Sequence, residues 1–311
     1  MIKYYKLDGN IKEIKDPKEY SEANIIKVIE PEYEDIYKIA KKEKIIPEYL
    51  KDSLDINEIP RLENYKNQLF VLIRVPVQDN VRPESLIFRT VPVGIVLTEK
   101  KLVLISLEDT NIIDVVMNNY GKRFDNIRSF ALFIMLASIK RYLKYLKNLH
   151  MRIMKAEDKL RKTQSNEELI HLMEIEKSLV YFTTSIKGNQ MLMEKLLIGK
   201  KFDLIETEKD LIQNMMIENN QALEMSTIYS NIVDSMTNAF ASIISNNLNI
   251  VMKALAALTI ILNFPMLVSS IYGMNVPLPF QSQKYAFIIV VTIGITLTMF
   301  STWFLIKRKW F

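Results

Sequence analysis

The chain has no cysteine, which excludes a disulfide framework and any thiolate metal site. Histidine is nearly as scarce. His150 and His171 are the only two; they lie at unequal distances from the Gln164-Ser165-Asn166 break between two helical stretches, so they do not meet as metal ligands, and a surface role is expected for both. No Gly-x-x-x-x-Gly-Lys phosphate loop is present, because Gly121-Lys122 has Val116 where the first glycine should stand and Arg123 where Ser or Thr should. A long stretch of one charge sign is also lacking: behind the net +5, Lys and Glu alternate through most of the chain rather than gathering in one patch. That is a solvated surface rather than a nucleic-acid stripe, and no nucleic-acid partner is expected. The opening MIKYYKLDGNIKEIKD is charged where a signal peptide is apolar, so the expectation is a chain that is neither cleaved nor exported, with its bulk in the cytosol. No catalytic constellation stands out, and an enzyme is not expected.

What is present, in 311 residues with 49% hydrophobic content, suits one sizeable soluble domain plus membrane spans. Residues 1–124 read as an α/β domain. The β-branched runs 25–30, 68–77, 84–98 and 101–107 are separated by turn residues, and 31–58 has helical periodicity interrupted at Pro47. Asp55, Arg61 and Glu63 fit a cap and a surface ion pair. Residues 125–202 read as an antiparallel helical hairpin; its apolar run Phe130 to Ala137 is too short to span a bilayer and reads as a core helix. After Gly199 neither Gly nor Pro recurs until Pro265, which permits one helix running from a stalk (203–249) into a membrane span (250–272). A loop (273–284) leads to a second span (285–306) and a basic tail (307–311).

From Ala254 to Tyr272 there is no charge, a length that covers roughly 30 Å of hydrocarbon. Yet Asn249, Met252, Ala256, Thr259, Asn263, Met266 and Ser270 recur at steps of three and four, on one helix face. An amide such as Asn263 is costly in hydrocarbon, so this stripe should face water or other helices. It continues back along the stalk through Asn214, Ile217, Gln221, Glu224, Ile228, Asn231, Ser235, Asn238, Ser242 and Ser245. A seam this polar suits helices lined around a wet axis better than a dry coiled coil. Pro265 should kink or loosen the span by removing a backbone hydrogen bond. Basic residues with an aromatic close the second span at Lys307, Arg308, Lys309 and Trp310, which marks that end, and therefore both termini, as cytoplasmic.

The first span ends in Tyr272-Gly273-Met274-Asn275 and is followed within a short loop by the second. In this the sequence resembles the CorA family of magnesium transporters, the two-transmembrane Gly-x-Asn family. The passage EYLKDSLDINEIPRLENYKNQLFVLIRVP, with its Leu-Asp, Pro-Arg and Glu, is similar to the same family's helix-to-strand passage. The resemblance implies an α+β membrane protein in the cell membrane, a homopentameric funnel with a stalk of five helices. Gly273, Met274 and Asn275 would form its selectivity filter. Asn249, Met252, Leu255, Ala256, Thr259, Asn263, Met266 and Ser270 would line the pore, with Met252 and Leu255 as an apolar constriction. Lys307, Arg308 and Lys309 would ring the cytosolic mouth.

In the family, divalent ions bridging cytosolic acids close the channel; Asp203, Glu206, Glu208 and Asp210 are the candidates here, with a helix N-terminus that merely complements the macrodipole as the other reading. Mg2+ is then both cargo and regulatory ion, and no cofactor is implied. The sequence departs from the family pattern in several places. Pro265 sits one residue late, Asn263 stands where Met is frequent, and the family's stalk aspartate falls on Asn214. The loop VPLPFQSQK has no acid, which leaves backbone carbonyls, Gln281, Gln283 and Asn275 to attract cations. A transporter of Co2+, Ni2+ or Zn2+ and a non-conducting membrane-anchored scaffold are the competing readings, and the intact Met274 favours magnesium over zinc.

Overall fold

The computed structural model describes residues 1–311 apart from 9, 66, 79–87, 121–125, 164–165, 200–203, 280–282, 309 and 311. Of the sequence expectations, the start of the 84–98 run, the Gly121-Lys122-Arg123 stretch, Gln164-Ser165, Asp203, Gln281 and Lys309 lie outside the described residues. The chain divides into two compact units, Met1–Thr237 and Asn238–Phe311.

In the first unit the strands are β1 (Ile2–Asp8), β2 (Asn10–Ile14), β3 (Ile25–Ile29), β4 (Arg61–Tyr65), β5 (Gln68–Gln78), β6 (Phe88–Leu97) and β7 (Leu102–Ser106). They form one sheet in the order β2-β1-β3-β7-β6-β5-β4, antiparallel except for the β3/β7 pair. The helices α1 (Tyr33–Glu43) and α2 (Pro47–Asp52) cover one face. On the other face lie α3 (Ile112–Tyr120), the start of α4 (Ile127–Thr163), the end of α5 (Asn166–Ile198) and the start of α6 (Glu206–Tyr272).

The strand period of two sorts side chains between these layers. Ile26, Phe70, Leu72, Val103 and Ile105 pack under α1 and α2, whereas Ile25, Val71, Ile73, Leu102 and Leu104 pack under the long helices. Burial on both faces is why β3, β5, β6 and β7 are continuous apolar runs. β1 carries Lys3 and Lys6 and β4 carries Arg61 and Glu63 among their apolar residues, and β2 and β4 are the terminal strands of the sheet.

The hairpin and the head of α6 share this core. Arg74 of β5 is held at its backbone by the hairpin: its N–H donates to Asn189 Oδ1 at 3.1 Å, and its carbonyl accepts from Tyr142 Oη and Asn189 Nδ2, each at 3.0 Å. Its guanidinium donates to the Ile56, Glu58 and Thr90 carbonyls. Burial lowers the Arg74 pKa, and the opposing pull of Tyr142, Asp55 and Tyr181 does not cancel it.

Arg61 makes ion pairs with Glu63 at 2.8 Å, with Asp52 and with Glu58, and Asp55 caps a turn by accepting from the Asn57 N–H at 2.9 Å. This is the cap and ion-pair role expected of those residues. His150 corrects the expected surface role: it is half-buried and stacks on Tyr229 with ring centroids 4.9 Å apart. His171 is exposed, 3.5 Å from Glu174.

The second unit holds the remainder of α6 and α7 (Ala286–Lys307), each long and apolar enough to cross a membrane. α6 continues through Pro265 without interruption. There the Ile261 carbonyl, four residues back, loses its helical partner.

Candidate ion-pathway site

The 67-residue α6 carries two opposed faces. In the first unit Ile212, Met215, Asn219, Ala222, Ser226 and Val233 are buried. Asn219 Nδ2 donates to the Ile186 carbonyl at 3.1 Å and to Gln190 Oε1 at 2.9 Å, and Ser226 Oγ donates to the Leu179 carbonyl at 3.2 Å. This face is the one docked on α5. The amide-and-hydroxyl stripe stands two positions further on, at Asn214, Ile217, Gln221, Glu224, Ile228 and Ser235, and every one of these is exposed. Two helical positions are a rotation of about 200°, so the stripe looks away from the docked face.

The second unit repeats the arrangement. Ala257 and Val268 are buried, and Ala254, Ile261 and Phe264 are half-buried on the side that meets α7, where Gly294, Ser301 and Leu305 are buried in turn. Ala256, Thr259, Asn263, Met266 and Ser270, again two positions on, are exposed. Every seventh residue from Asn214 to Ser270 falls on the polar set, and the companion series from Ile217 reaches Thr259, Met266 and Gly273. A straight α-helix drifts about 20° per heptad, so a seven-residue repeat keeps neighbouring members of this set close to one face.

Within the stripe Thr259 Oγ1 donates back to the Leu255 carbonyl at 2.9 Å, which hides its hydroxyl proton in the helix. The Asn263 amide makes no hydrogen bond to any described residue. Asn249, Met252 and Leu255 are exposed.

α6 ends at Tyr272 without a left-handed glycine. Gly273 N–H donates to the Ser269 carbonyl at 2.9 Å and Met274 N–H to the Ile271 carbonyl at 3.2 Å, a tightened last turn. A Cβ at Gly273 would come 3.3 Å from the Ser269 oxygen. The Tyr272 hydroxyl donates to the Pro279 carbonyl at 3.3 Å and ties the loop back to the helix end. Gly273, Met274 and Asn275 are all exposed, and the Asn275 amide makes no hydrogen bond to any described residue. At the other membrane boundary Lys307 lies over the Trp303 ring at 5.0 Å and Arg308 over Phe304 at 5.7 Å.

The acids at the start of α6 are not gathered around a common point: no group of three or more metal-ligating side chains exists among the described residues. Glu208 is buried, accepts from the Ile205 N–H at 3.3 Å and lies 3.7 Å from Arg128. Three residues into the helix and reaching back to its cap, it plays the glutamate part of a capping box. Glu206 is exposed and pairs with Lys209 at 3.1 Å, and Asp210 is exposed. The capping role was hidden in the sequence because Ile205, not Ser or Thr, stands at the cap.

Residues 21–308 match the family described as CorA-like Mg2+ transporter protein. The chain is 26% identical over 316 residues to the cobalt/magnesium transport protein CorA of Methanocaldococcus jannaschii, covering 97% of each. The complete structure of the CorA magnesium transporter from Methanocaldococcus jannaschii superposes with a TM-score of 0.86 at 22% identity, over 100% of this chain and 99% of that one. The full-length CmaX protein does so with a TM-score of 0.74 at 13% identity, over 97% and 98%; at these identities the two structures speak for the fold. With the family match spanning most of its length and two C-terminal helices able to cross a membrane, the chain belongs to the CorA-like Mg2+ transporter family and is an ion transporter rather than an enzyme.

Proposed function

We propose that identical copies of this chain, five by the family resemblance, assemble in the cell membrane around the polar stripe of α6 and conduct Mg2+ inward, with both termini in the cytosol. The observation that carries this reading is the opposition of faces on α6: the side away from α7 holds an unpartnered Asn263 and a row of small and polar residues in an otherwise uncharged span. An amide presented to lipid is costly; one presented to a shared wet axis is hydrated.

Mg2+ dehydrates reluctantly. A ring of Asn275 side-chain carbonyls and Gly273 backbone carbonyls selects it by hydrogen bonding to its water shell, without carboxylates. Ala256, Thr259, Asn263, Met266 and Ser270 line the path below. Asn249, Met252 and Leu255 lie toward the cytosolic end, and the two apolar members close it by dewetting. The membrane potential supplies about 2.3 kcal/mol per charge per 100 mV, twice that for a divalent ion, so influx needs no other energy source. Lys307, Arg308 and Lys309 surround the cytosolic mouth. Closure follows when a cytosolic divalent ion bridges acids of neighbouring copies and favours the shut state; with Glu208 committed to its cap, Asp203, Glu206 and Asp210 are the residues left for that role. The Methanocaldococcus jannaschii relative is called a cobalt/magnesium transport protein, which makes Co2+ the second cargo to test.

Because the chain has no native cysteine, single cysteines report without background. A membrane-impermeant cationic thiol reagent should block Mg2+ uptake through Ser270→Cys and leave Met299→Cys, on the exposed side of α7, unaffected. Full uptake by modified Ser270→Cys would remove the stripe from the pathway.

A further inference from the structure

A cleft of about 870 Å³ opens in the first unit between the ends of β5 and β6, the segment after β7, and the helices α3 and α4. Its wall is cationic: Arg89, Lys140, Arg141 and Lys144 face two acids, Glu108 and Asp109. Both acids are already neutralised, Glu108 by Arg89 and Asp109 by the buried Lys27 at 2.7 Å. Lys140 pairs outside the wall with Glu218. Arg141 and Lys144 have no carboxylate partner among the described residues. Arg141 Nη1 donates to the Thr110 carbonyl at 2.7 Å, and burial without a compensating acid lowers the Arg141 pKa.

Thr110 supplies an independent sign. It is 4% exposed, it lines the cleft, and its Oγ1 has no hydrogen-bond partner among the described residues. A buried hydroxyl left unpaired is destabilising, and such groups in native proteins ordinarily have a partner. Beside it stand a guanidinium with open N–H groups and an exposed ammonium. Those donors suit the several oxygens of a tetrahedral oxyanion better than the two of a planar carboxylate. The positive wall repels the transported cation, and the volume exceeds what an inorganic ion fills.

We propose that this cleft binds a phosphate-bearing small molecule, its phosphate held by Arg141, Lys144 and the Thr110 hydroxyl. The inference does not rest on the transport reading and stands or falls separately from it.

The test is calorimetric titration of the full-length, detergent-solubilised protein with pyrophosphate and with ATP, both in EDTA so that chelation of divalent ions contributes nothing. Binding should weaken about tenfold or more in Arg141→Gln and measurably in Lys144→Ala, and be unchanged in Lys162→Ala, an exposed lysine at the far end of α4. Lys144 makes no contact the fold depends on, so its variant reads the site even if Arg141→Gln does not fold. Equal affinity for the two ligands means that phosphate alone is recognised, and tighter binding of ATP places the nucleoside in the cleft as well. Absence of binding at millimolar ligand, or binding undiminished in Lys144→Ala and Arg141→Gln, overturns the proposal.

Discussion

Gly294 of α7 lies directly against Pro265 of α6: a Cβ at position 294 would stand 3.9 Å from the Pro265 Cα. Without a large side chain between them, the two spans approach closely where the proline has broken a backbone hydrogen bond, a contact typical of small residues in membrane helix packing. Ordinary van der Waals room remains for a methyl group and none for a branched chain. Gly294→Ala should therefore leave the melting temperature of the purified protein nearly unchanged, whereas Gly294→Ile should lower stability by about 1–3 kcal/mol through overpacking. Equal melting of the two variants would mean that the helices are not held at this point.

The buried Asn219 fixes α6 on α5 through its two donated hydrogen bonds. Asn219→Ala should destabilise the protein by about 1–3 kcal/mol, read as a lowered melting temperature. Asn220, one position along and exposed, is the control: alanine there should shift melting little.

At the head of α6, capping and sensing are separable. Glu208→Ala should cost about 0.5–2 kcal/mol through the lost cap, and Glu208→Gln should retain most of it. Neutralising Glu206 and Asp210 together should lower stability only by the surface macrodipole contribution, about 0.3–1 kcal/mol each, while raising Mg2+ influx at high internal Mg2+. Unaltered closure in that double variant would leave the macrodipole as their only role.

Glu176 of α5 holds its proton above the ordinary value of 4.5, first through burial and then through the neighbouring Asp234 carboxylate. The folded state thus binds this proton more tightly than the unfolded chain does. Its contribution to stability is present in full below pH 4.5 and is lost as pH rises from there through the raised value. Glu176→Gln should accordingly raise the melting temperature at neutral pH and flatten the decline above pH 4.5. A variant that melts with an unchanged pH profile would show that the folded state does not hold the Glu176 proton above its ordinary value.

Legibility in the sequence followed the strength of the burial pattern. β3, β5, β6 and β7 stand out because both their faces are covered, and the long helices because nothing interrupts them. β1 and β4 were missed: at or near the sheet edge, Lys3 and Lys6 in β1 and Arg61 and Glu63 in β4 break up the apolar run. α3 was not singled out either: its nine residues are too few to show a clear period, and only Ile112, Ile113 and Val116 are buried. The polar stripe of α6 was plain from spacing. Its two-residue offset from the docked face was not, because that requires knowing which side α5 and α7 cover. Thr110 and Arg141 lie far apart in the chain and meet only once the sheet and α4 are packed.

The central claim is that Asn275, exposed and unpartnered beyond the last turn of α6, is one member of a ring that admits hydrated Mg2+. Its most direct test is Mg2+ entry into proteoliposomes under an inside-negative potential, followed with a trapped indicator, for the wild type and Asn275→Ala side by side. Entry in the wild type that largely disappears in an equally stable, equally assembled Asn275→Ala is the predicted result. Undiminished entry through Asn275→Ala would contradict the filter, and a wild type that passes neither Mg2+ nor Co2+ would contradict the account as a whole.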